Sequence, residues 1–483
     1  MKSLVILLAL LLAGLANAEP NDKLPDFGSP ADVAMSKTRE AQLGRGVMLQ
    51  LRNAGVVVDD PQLTEYIGSL GSQISSRANN GDFNFHFFFV KDDQINAFAL
   101  PGGFVGVNSG LLLATNNENE LAGVLAHEVS HVTQRHIARA IYDNERVSIV
   151  SMAAMLAAIL LGAASNVHGD AVAGVVAGAQ GLAQQHSINF TRANEIEADR
   201  VGMEVLSSAG FDPNGMSSFF EEIGKRYGGQ EQYVPALLQS HPVTSERIAE
   251  ARARARQLPQ TKRADSVAYG LAKARLQVLS APTPEAAYAP FKDKADSQIP
   301  ADRYGLALSQ MRLNLNDNAE RIMSELAAEF PTVIAYRIGQ AEALMANGSS
   351  EEALARYKDA ERLFPRNVPV TISYADALIS AGQAAAAHAL LLDLLNNVEA
   401  TPEQLRLIAR AANAEGDVGD AYYYMSYYYG AIGNLPLAIS QVRLALETPG
   451  VHTIERERFK ARLQELIEYL PPEQRRAAAR ASP

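Results

Sequence analysis

The sequence has no cysteine and no excess of basic charge among its 483 residues. Without cysteine there is no disulfide framework and no lipid-bearing cysteine behind a leader. The 54 acidic and 43 basic residues leave a net charge of −11, which argues against nucleic acid as the main partner and against a polybasic hold on anionic lipid. Hydrophobic residues make up 47% and charged residues 20%, values typical of a soluble globular protein, and the length indicates two or more domains. We therefore expect a protein that core packing alone holds together.

Residues 1–18 have the pattern of a secretory signal peptide. Lys2 is followed by the apolar run Leu4–Leu15, and Ala16-Asn17-Ala18 provides the small residues of a cleavage site. A signal anchor is the alternative, although the run is short for a membrane span. We expect cleavage after Ala18 and export, to a bacterial periplasm.

The stretch from Leu121 to His131 contains the pattern HExxH. His127 and His131 are four residues apart, so on a helix they project from one face and can hold one metal ion. That arrangement suits Zn²⁺, with Glu128 as the general base on a water at the metal. The alternative is an exposed helix that carries two histidines by chance.

A catalytic zinc ion needs a third protein ligand, which HExxH does not supply. Glu195 and Asp199 lie four residues apart in a segment with helical character, so they face the same way. We predict Glu195 as the third ligand and Asp199 as an acceptor that orients a ligand imidazole, with Glu197 as the second choice of ligand. Taken alone, this segment would also suit a solvated acidic helix face.

The residues before HExxH predict two helices and a small sheet. Apolar residues recur at helical spacing in 36–53 and 61–77, and the aromatic run Phe83–Val90 indicates a buried strand. Two short strands are predicted around the turn Pro101-Gly102-Gly103. Since an edge strand beside a zinc helix can pair with an extended peptide, we interpret this hairpin as a candidate substrate platform, with a plain core hairpin as the alternative.

Two apolar stretches follow the HExxH helix, Val147–Ala164 and Ala171–Leu182. The first is just long enough to hint at a membrane span. Its alanine and glycine content is high and its partner is too short to cross. We therefore favour a helical hairpin that covers the active site or touches the membrane surface.

The three segments HExxH, Asn194–Asp199 (NEIEAD) and His241–Arg247 (HPVTSER) occur in this order within about 120 residues. Their order resembles that in the membrane-associated zinc endopeptidases of the HtpX and CAAX prenyl protease types. The resemblance implies an α+β zincin-like metalloprotease domain, mostly helical with a small sheet, over residues 19–260, with one Zn²⁺ per chain. It also implies that Arg247 lies near the substrate or the developing oxyanion.

His241 is predicted to lie in a loop that can reach the metal. HExxH with Glu195 leaves one open position on a tetrahedral zinc ion, where water must bind for catalysis. His241 would fill that position and inhibit the enzyme, or it would help to bind the transition state. A structural role at the start of a helix is the third alternative.

Residues 265–470 are self-similar with a step of 34 residues. Phe330-Pro331 recurs as Phe364-Pro365, and Gly348 recurs as Gly382 and Gly416. Such a period is typical of tetratricopeptide repeats and predicts an all-α solenoid of about four units. The position of Gly433 predicts that the last unit is out of phase with the others. The segment Tyr422–Tyr429 suits either the core or a concave peptide-binding face. Residues 471–483 are predicted to form a flexible tail.

An exported zinc protease joined to such repeats is similar to bacterial envelope proteases that act in outer-membrane β-barrel assembly. The resemblance implies a chaperone-like endopeptidase that degrades stalled or misfolded outer-membrane precursors and contacts the barrel assembly machinery. The alternative is a non-proteolytic periplasmic chaperone or scaffold with a structural or dormant zinc site. Glu128 favours the protease, because a structural site does not need a general base.

Overall fold

The structure is a computed structural model that describes residues 35–78, 83–141, 192–227 and 235–470, together with residues 156, 157, 160 and 475. The predicted signal peptide, nearly all of the two apolar stretches between 147 and 182, and the tail apart from residue 475 lie outside the described residues. In the part of the chain that the structure describes, no helix combines the length and the apolar character needed to cross a membrane.

The first half of the chain combines helices with one small sheet. Its described elements are α1 (Lys37–Asn53), α2 (Pro61–Ala78), β1 (His86–Val90), β2 (Ala97–Leu100), β3 (Phe104–Asn108), α3 (Ser109–Ala114), α4 (Glu118–Thr133), α5 (His136–Ile141), α6 (Arg192–Ser208), α7 (Asn214–Tyr227), α8 (Ala236–Ser240) and α9 (Ser245–Ala255). Two helices occupy the segments 36–53 and 61–77, as expected, and the prediction of a mostly helical domain with a small sheet is confirmed.

The three strands lie in the order β1-β3-β2, with β1 parallel and β2 antiparallel to β3. Side chains alternate between two cores, because Phe87 and Phe89 pack on the side of α2 and α4 whereas Phe88 and Val90 pack on the side of α1. Each such fully buried side chain contributes about 1.5–3 kcal/mol. The predicted turn between β2 and β3 is present, and β2 is an edge of the described sheet.

The HExxH segment lies on α4, whose residues from Glu118 to Val132 are all buried. Asn117 caps this helix, since its side chain accepts a hydrogen bond from the Glu120 N–H. Gly202 of α6 lies against the backbone of Ala126, where an added Cβ would come within 3.0 Å of the Ala126 carbonyl oxygen. This close approach brings the acidic face of α6 against the histidine face of α4.

The second half is all helical, as predicted. Its described helices are α10 (Val267–Ser280), α11 (Pro284–Tyr288), α12 (Pro300–Arg312), α13 (Asn316–Glu329), α14 (Ile334–Ala346), α15 (Ser350–Leu363), α16 (Val368–Ser380), α17 (Ala384–Leu395), α18 (Pro402–Glu415), α19 (Val418–Ala431), α20 (Leu435–Glu447) and α21 (Thr453–Glu468). From α12 onward the helices form five consecutive pairs within the described residues, and the two helices of each pair contact each other.

The prediction that the last repeat is out of phase is wrong. First helices begin at residues 300, 334, 368, 402 and 435, so the step stays at 34 until the last pair, which arrives one residue early. Gly348, Gly382 and Gly416 occupy the turn within a pair, whereas Gly433 occupies the turn between two pairs, α19 and α20. All four have positive φ, which both kinds of turn use. The Tyr422–Tyr429 segment forms α19, where Tyr423 is buried and its neighbours are half-buried.

Helix α10 packs against both halves of the chain. Its Tyr269 and Leu276 belong to the core around α4, while Leu271 and Val278 belong to the core of the first repeat pair. Arg275 of the same helix forms a half-buried ion pair with Asp60, just ahead of α2, at 2.7 Å. The predicted start of the repeat domain at residue 265 therefore lies immediately before a helix that the two cores share.

Candidate metal centre

Four buried side chains converge between α4, α6 and the loop after α8. They are His127, His131, Glu195 and His241, and one possible ligand atom from each lies within 4.8 Å of the others. His127 Nε2 is 3.0 Å from His131 Nε2 and 3.4 Å from His241 Nδ1. Glu195 Oε1 is 2.9 Å from His241 Nδ1 and 3.4 Å from His131 Nε2. The structure thus brings together the four residues predicted as ligands, whose role in binding metal stays a prediction.

These distances fit a tetrahedral metal ion. Ligand atoms about 2.0–2.1 Å from a tetrahedral zinc ion lie about 3.3 Å from one another, and the four distances given above are close to that value. Three imidazoles and one carboxylate are also donors that zinc accepts. A group of this kind would be costly to bury without a cation, since the donors face one another.

Glu128 lies beside this cluster and is fully buried. Neither of its carboxylate oxygens has a hydrogen-bond partner among the described residues, and Oε1 lies 3.7 Å from His241 Nε2. Buried carboxylate oxygens are almost always hydrogen-bonded, so this geometry points to a ligand or water that the side chain serves. Glu128 is therefore placed as a general base would be.

Asp199 lies beside His127, the predicted ligand, and its predicted role of orienting that imidazole stays a prediction. Its Oδ1 lies 2.9 Å from His127 Nδ1, on the opposite side of the ring from the cluster. Burial alone would lower the pKa of His127, but Asp199 and Glu195 outweigh burial and raise that pKa to about 10. Burial would likewise raise the pKa of Asp199 and of Glu195, yet the histidines and Arg247 around them lower both.

The guanidinium of Arg247 contacts two acidic residues of α6, Asp199 and Glu195. The guanidinium is 2% exposed and forms two hydrogen bonds with Asp199, Nε to Oδ2 at 2.7 Å and Nη2 to Oδ1 at 2.8 Å. Its Nη1 lies 2.9 Å from Glu195 Oε2 and donates to the Pro242 carbonyl at 2.8 Å. Phe220 lies under the guanidinium, 5.0 Å from ring centre to Cζ. Arg247 thus holds these two carboxylates of α6 in place, and its predicted position near the substrate or the oxyanion stays a prediction.

Glu197, the second choice as ligand, faces away from the cluster. Its Oε2 lies 3.0 Å from His136 Nε2, and His136 Nδ1 lies 2.9 Å from Nδ1 of the predicted ligand His131. Burial lowers the pKa of His136, although Glu197 acts in the opposite direction. Sequence reasoning missed His136. The available signal was a third histidine five residues after His131, which is not a spacing that shares a helix face.

The His241 loop is tied to the edge strand. His241 follows the last residue of α8, and its N–H donates to the Leu237 carbonyl at 2.7 Å. The Leu237 N–H in turn donates to the Ile95 carbonyl, just ahead of β2, at 3.2 Å. The next carbonyl, that of Asn96, accepts a hydrogen bond from the Asn108 N–H of β3. Because successive carbonyls of an extended chain point to opposite sides, the Ile95 carbonyl faces the outer side of β2. Helix α8 therefore occupies the first outward backbone position of the edge.

Comparison with known proteins places the two halves in separate families. Residues 61–255 match peptidase family M48, and residues 344–411 match a tetratricopeptide repeat family. The first match contains the metal centre and the second lies within the helical pairs.

Two relatives are similar to this chain over much of its length. The beta-barrel assembly-enhancing protease of Escherichia coli strain K12 is 34% identical over 459 residues, which cover 93% of this chain and 92% of that protein. The putative beta-barrel assembly-enhancing protease of Vibrio cholerae is 39% identical over 326 residues, 66% of each chain. Among solved structures, a thermophilic TPR protein of Thermus thermophilus is 25% identical and covers 41% of this chain and 100% of its own, with a TM-score of 0.27.

Proposed function

This chain belongs to the family of the beta-barrel assembly-enhancing proteases and is a metalloprotease, and from that premise we propose that it is a periplasmic zinc endopeptidase that removes stalled or misfolded outer-membrane β-barrel precursors. One observation supports the catalytic part most directly. Glu128 is fully buried beside four converging donors and has no hydrogen-bond partner for either oxygen in the described structure. A scaffold with a structural metal site has no use for such a carboxylate.

The protein side chains divide the reaction between them. His127, His131 and Glu195 would hold one zinc ion, which would lower the pKa of a bound water and polarise the scissile carbonyl. Glu128 would take the proton of the attacking water and return it to the leaving amine. Asp199 would orient His127, and Arg247 would hold Asp199 and Glu195 in register.

The edge strand β2 is the site we propose for the substrate backbone. An extended peptide that pairs with β2 would lie antiparallel or parallel to it beside α4, with hydrogen bonds that do not depend on the substrate sequence. This suits a protease whose substrates share strand-forming segments rather than one motif. The outward Ile95 carbonyl is already bound by Leu237 of α8, so the peptide must displace α8 to use the whole edge.

We propose that His241 inhibits the resting enzyme. Its Nδ1 lies among the other donors and its Nε2 is 3.7 Å from Glu128, so the ring occupies the space where water and substrate would meet. Since α8 carries His241 and blocks the start of β2, a peptide strand that displaces α8 would also withdraw His241. Occupation of the edge and release of the active site would then be one event.

The repeats are proposed to recruit unfolded precursors and to contact the barrel assembly machinery. A cavity of about 1030 Å³ lies between the start of α2 and several helices of the repeats. Its lining mixes charges with aromatic rings and includes Arg275, Glu342, Tyr357, Asp376 and Tyr422. Such a surface can bind polypeptides of varied sequence, and it provides the wider binding surface that a protease for unfolded chains needs.

Cleavage of an unfolded barrel precursor by the purified mature protein tests the proposed function. We expect cleavage that a chelator abolishes and added zinc restores, whereas the folded barrel in detergent should be resistant. Absence of zinc-dependent cleavage in both the parent protein and a His241→Ala variant would reject the enzyme and favour the scaffold.

The inhibitory role of His241 has its own control. His241→Ala should raise basal cleavage while zinc stays bound through the other three ligands, and His86→Ala, which removes an exposed histidine of β1, should change neither. A loss of cleavage in His241→Ala would indicate transition-state binding instead. An unchanged rate with unchanged metal content would leave His241 as a structural residue.

A further inference from the structure

The two histidines of HExxH receive different support from the residues behind them. His127 Nδ1 lies 2.9 Å from a carboxylate, that of Asp199. His131 Nδ1 instead lies 2.9 Å from a second imidazole, His136, which is fully buried. The other nitrogen of His136, Nε2, lies 3.0 Å from Glu197 Oε2, so His136 lies between His131 and a carboxylate. The reaction proposed above uses neither His136 nor Glu197.

We propose that His136 and Glu197 form a relay that positions the ligand imidazole of His131 and strengthens its hold on the metal. The inference rests on the proposed metal centre. In it, His136 is a positioning residue, because it acts through His131 and touches neither substrate nor reacting atoms.

The hydrogen bonds of the relay can run in only one direction. His131 Nε2 faces the other donors, so its proton must reside on Nδ1, which donates to His136 Nδ1. His136 accepts at Nδ1 only as the neutral ring with its proton on Nε2, which then donates to Glu197 Oε2. The direction fixes the tautomer of His131, and the terminal negative charge makes its Nε2 a stronger donor to a metal.

The backbone between the two helices is shaped to bring His136 under His131. On one continuous helix a residue five positions on would be rotated by about 140° from His131 and could not meet its ring edge. Helix α4 instead ends at Thr133, and Arg135 takes the left-handed conformation with φ +54° before α5 begins at His136. That conformation costs a non-glycine residue about 1–2 kcal/mol.

A buried ion pair holds this turn in place. Arg135 Nε donates to Glu40 Oε1 of α1 at 3.0 Å, and the guanidinium also contacts the Met35 carbonyl. Both side chains are buried, so the pair is not screened by solvent. The turn is therefore fixed from a distant part of the chain, as expected if the placement of His136 serves the metal centre.

Zinc affinity of the full mature chain tests the relay without reference to cleavage. The probe is Zn²⁺ in competition with a chromogenic chelator, and circular dichroism reports the fold of each variant. His136→Phe, which keeps a ring but no acceptor, should weaken zinc binding by about 10- to 100-fold. His136→Asn places an oxygen near the position of Nδ1, so it should recover most of that affinity. Glu197→Gln keeps a hydrogen-bond acceptor but not its charge, and it should cause a smaller loss than His136→Phe.

His388→Phe is the matched control, since His388 is a buried histidine of the repeats with a glutamate partner, Glu415, at 2.9 Å. It should leave zinc affinity unchanged. The relay would be overturned if a folded His136→Phe bound zinc with parental affinity, or if His136→Asn bound zinc as weakly as His136→Phe. Either result would show that His136 contributes only packing. If His136→Phe fails to fold, the other two variants provide the test. Parental zinc affinity in Glu197→Gln together with weak zinc binding in His136→Asn would then overturn the relay.

The same titration separates the relay from the metal centre on which it rests. A parent protein that binds no zinc would overturn the proposed function and the relay with it. Normal binding by the parent, lost in His127→Ala but unchanged in His136→Phe, would overturn the relay alone.

Discussion

Arg247 offers the sharpest test of how the metal centre is built, because its guanidinium contacts two buried carboxylates, whereas the sequence resemblance implies a role near the substrate. The guanidinium is 2% exposed and shares its donors between Asp199 and Glu195. Arg247→Met keeps the apolar stem of the side chain but removes the guanidinium that pairs with two buried carboxylates. Removal of one partner from a buried ion pair costs about 3–5 kcal/mol. In the metal-free protein this should lower the midpoint of thermal unfolding by on the order of 10 °C.

Calorimetric melting and zinc titration of the same variants measure this effect. Arg252 lies on the same helix as Arg247, pairs with Glu221 and is 50% exposed, so Arg252→Met should leave the midpoint of thermal unfolding close to that of the parent. Adding Asp199→Asn to Arg247→Met should reduce the loss, since it removes one of the uncompensated charges. If Arg247→Met melts and binds zinc like the parent but its kcat falls by about 100-fold, the oxyanion role would be right and our interpretation wrong.

Four further outcomes follow from the metal centre. Glu128→Gln should retain close to one zinc per chain by elemental analysis and lose peptide hydrolysis, and retained cleavage would exclude Glu128 as the base. Glu195→Gln should weaken zinc binding more than Glu197→Gln, because only Glu195 faces the cluster; equal losses would contradict the ligand assignment. Zinc binding at pH 7 should release about one proton, since the pKa of His127 is raised to about 10 in the metal-free protein, and calorimetry in two buffers of different ionisation enthalpy would detect it. The metal-free protein should lose stability as the pH falls below about 4, because the pKa values of Asp199 and Glu195 are lowered by folding and the unfolded chain binds those protons first; a flat acid limb in denaturant titrations would contradict this.

The parts of the site that follow from helical spacing could be predicted from the sequence. His127 and His131 share a face of α4, and Glu195 and Asp199 share a face of α6, because residues four apart meet on any α-helix. The order of these segments, with the resemblance it carries, was enough to predict the family and the mostly helical fold with a small sheet. The 34-residue period predicted the repeats for the same reason, since it is a property of the local sequence.

The parts that depend on distant contacts could not be predicted. His136 reaches His131 only because Arg135 takes a left-handed conformation, which Glu40 holds from another helix. Arg247 was expected near a substrate because nothing in its own segment shows that Asp199 and Glu195 face it. The phase of the last repeat was misjudged from Gly433 because a glycine with positive φ suits either kind of turn.

Helix α10, which follows the protease half, has a consequence for how the whole chain unfolds. Tyr269 of α10 bonds to the Thr115 carbonyl next to the HExxH helix, and Ser266, which caps α10, donates to Glu118 at the start of that helix. The other face of α10 packs in the hydrophobic core of the first repeat pair. Melting of either core therefore strips packing from the other, and unfolding becomes cooperative across the chain. Heat damage that begins in the repeats would therefore also inactivate the protease half, because the two halves would lose their packing together.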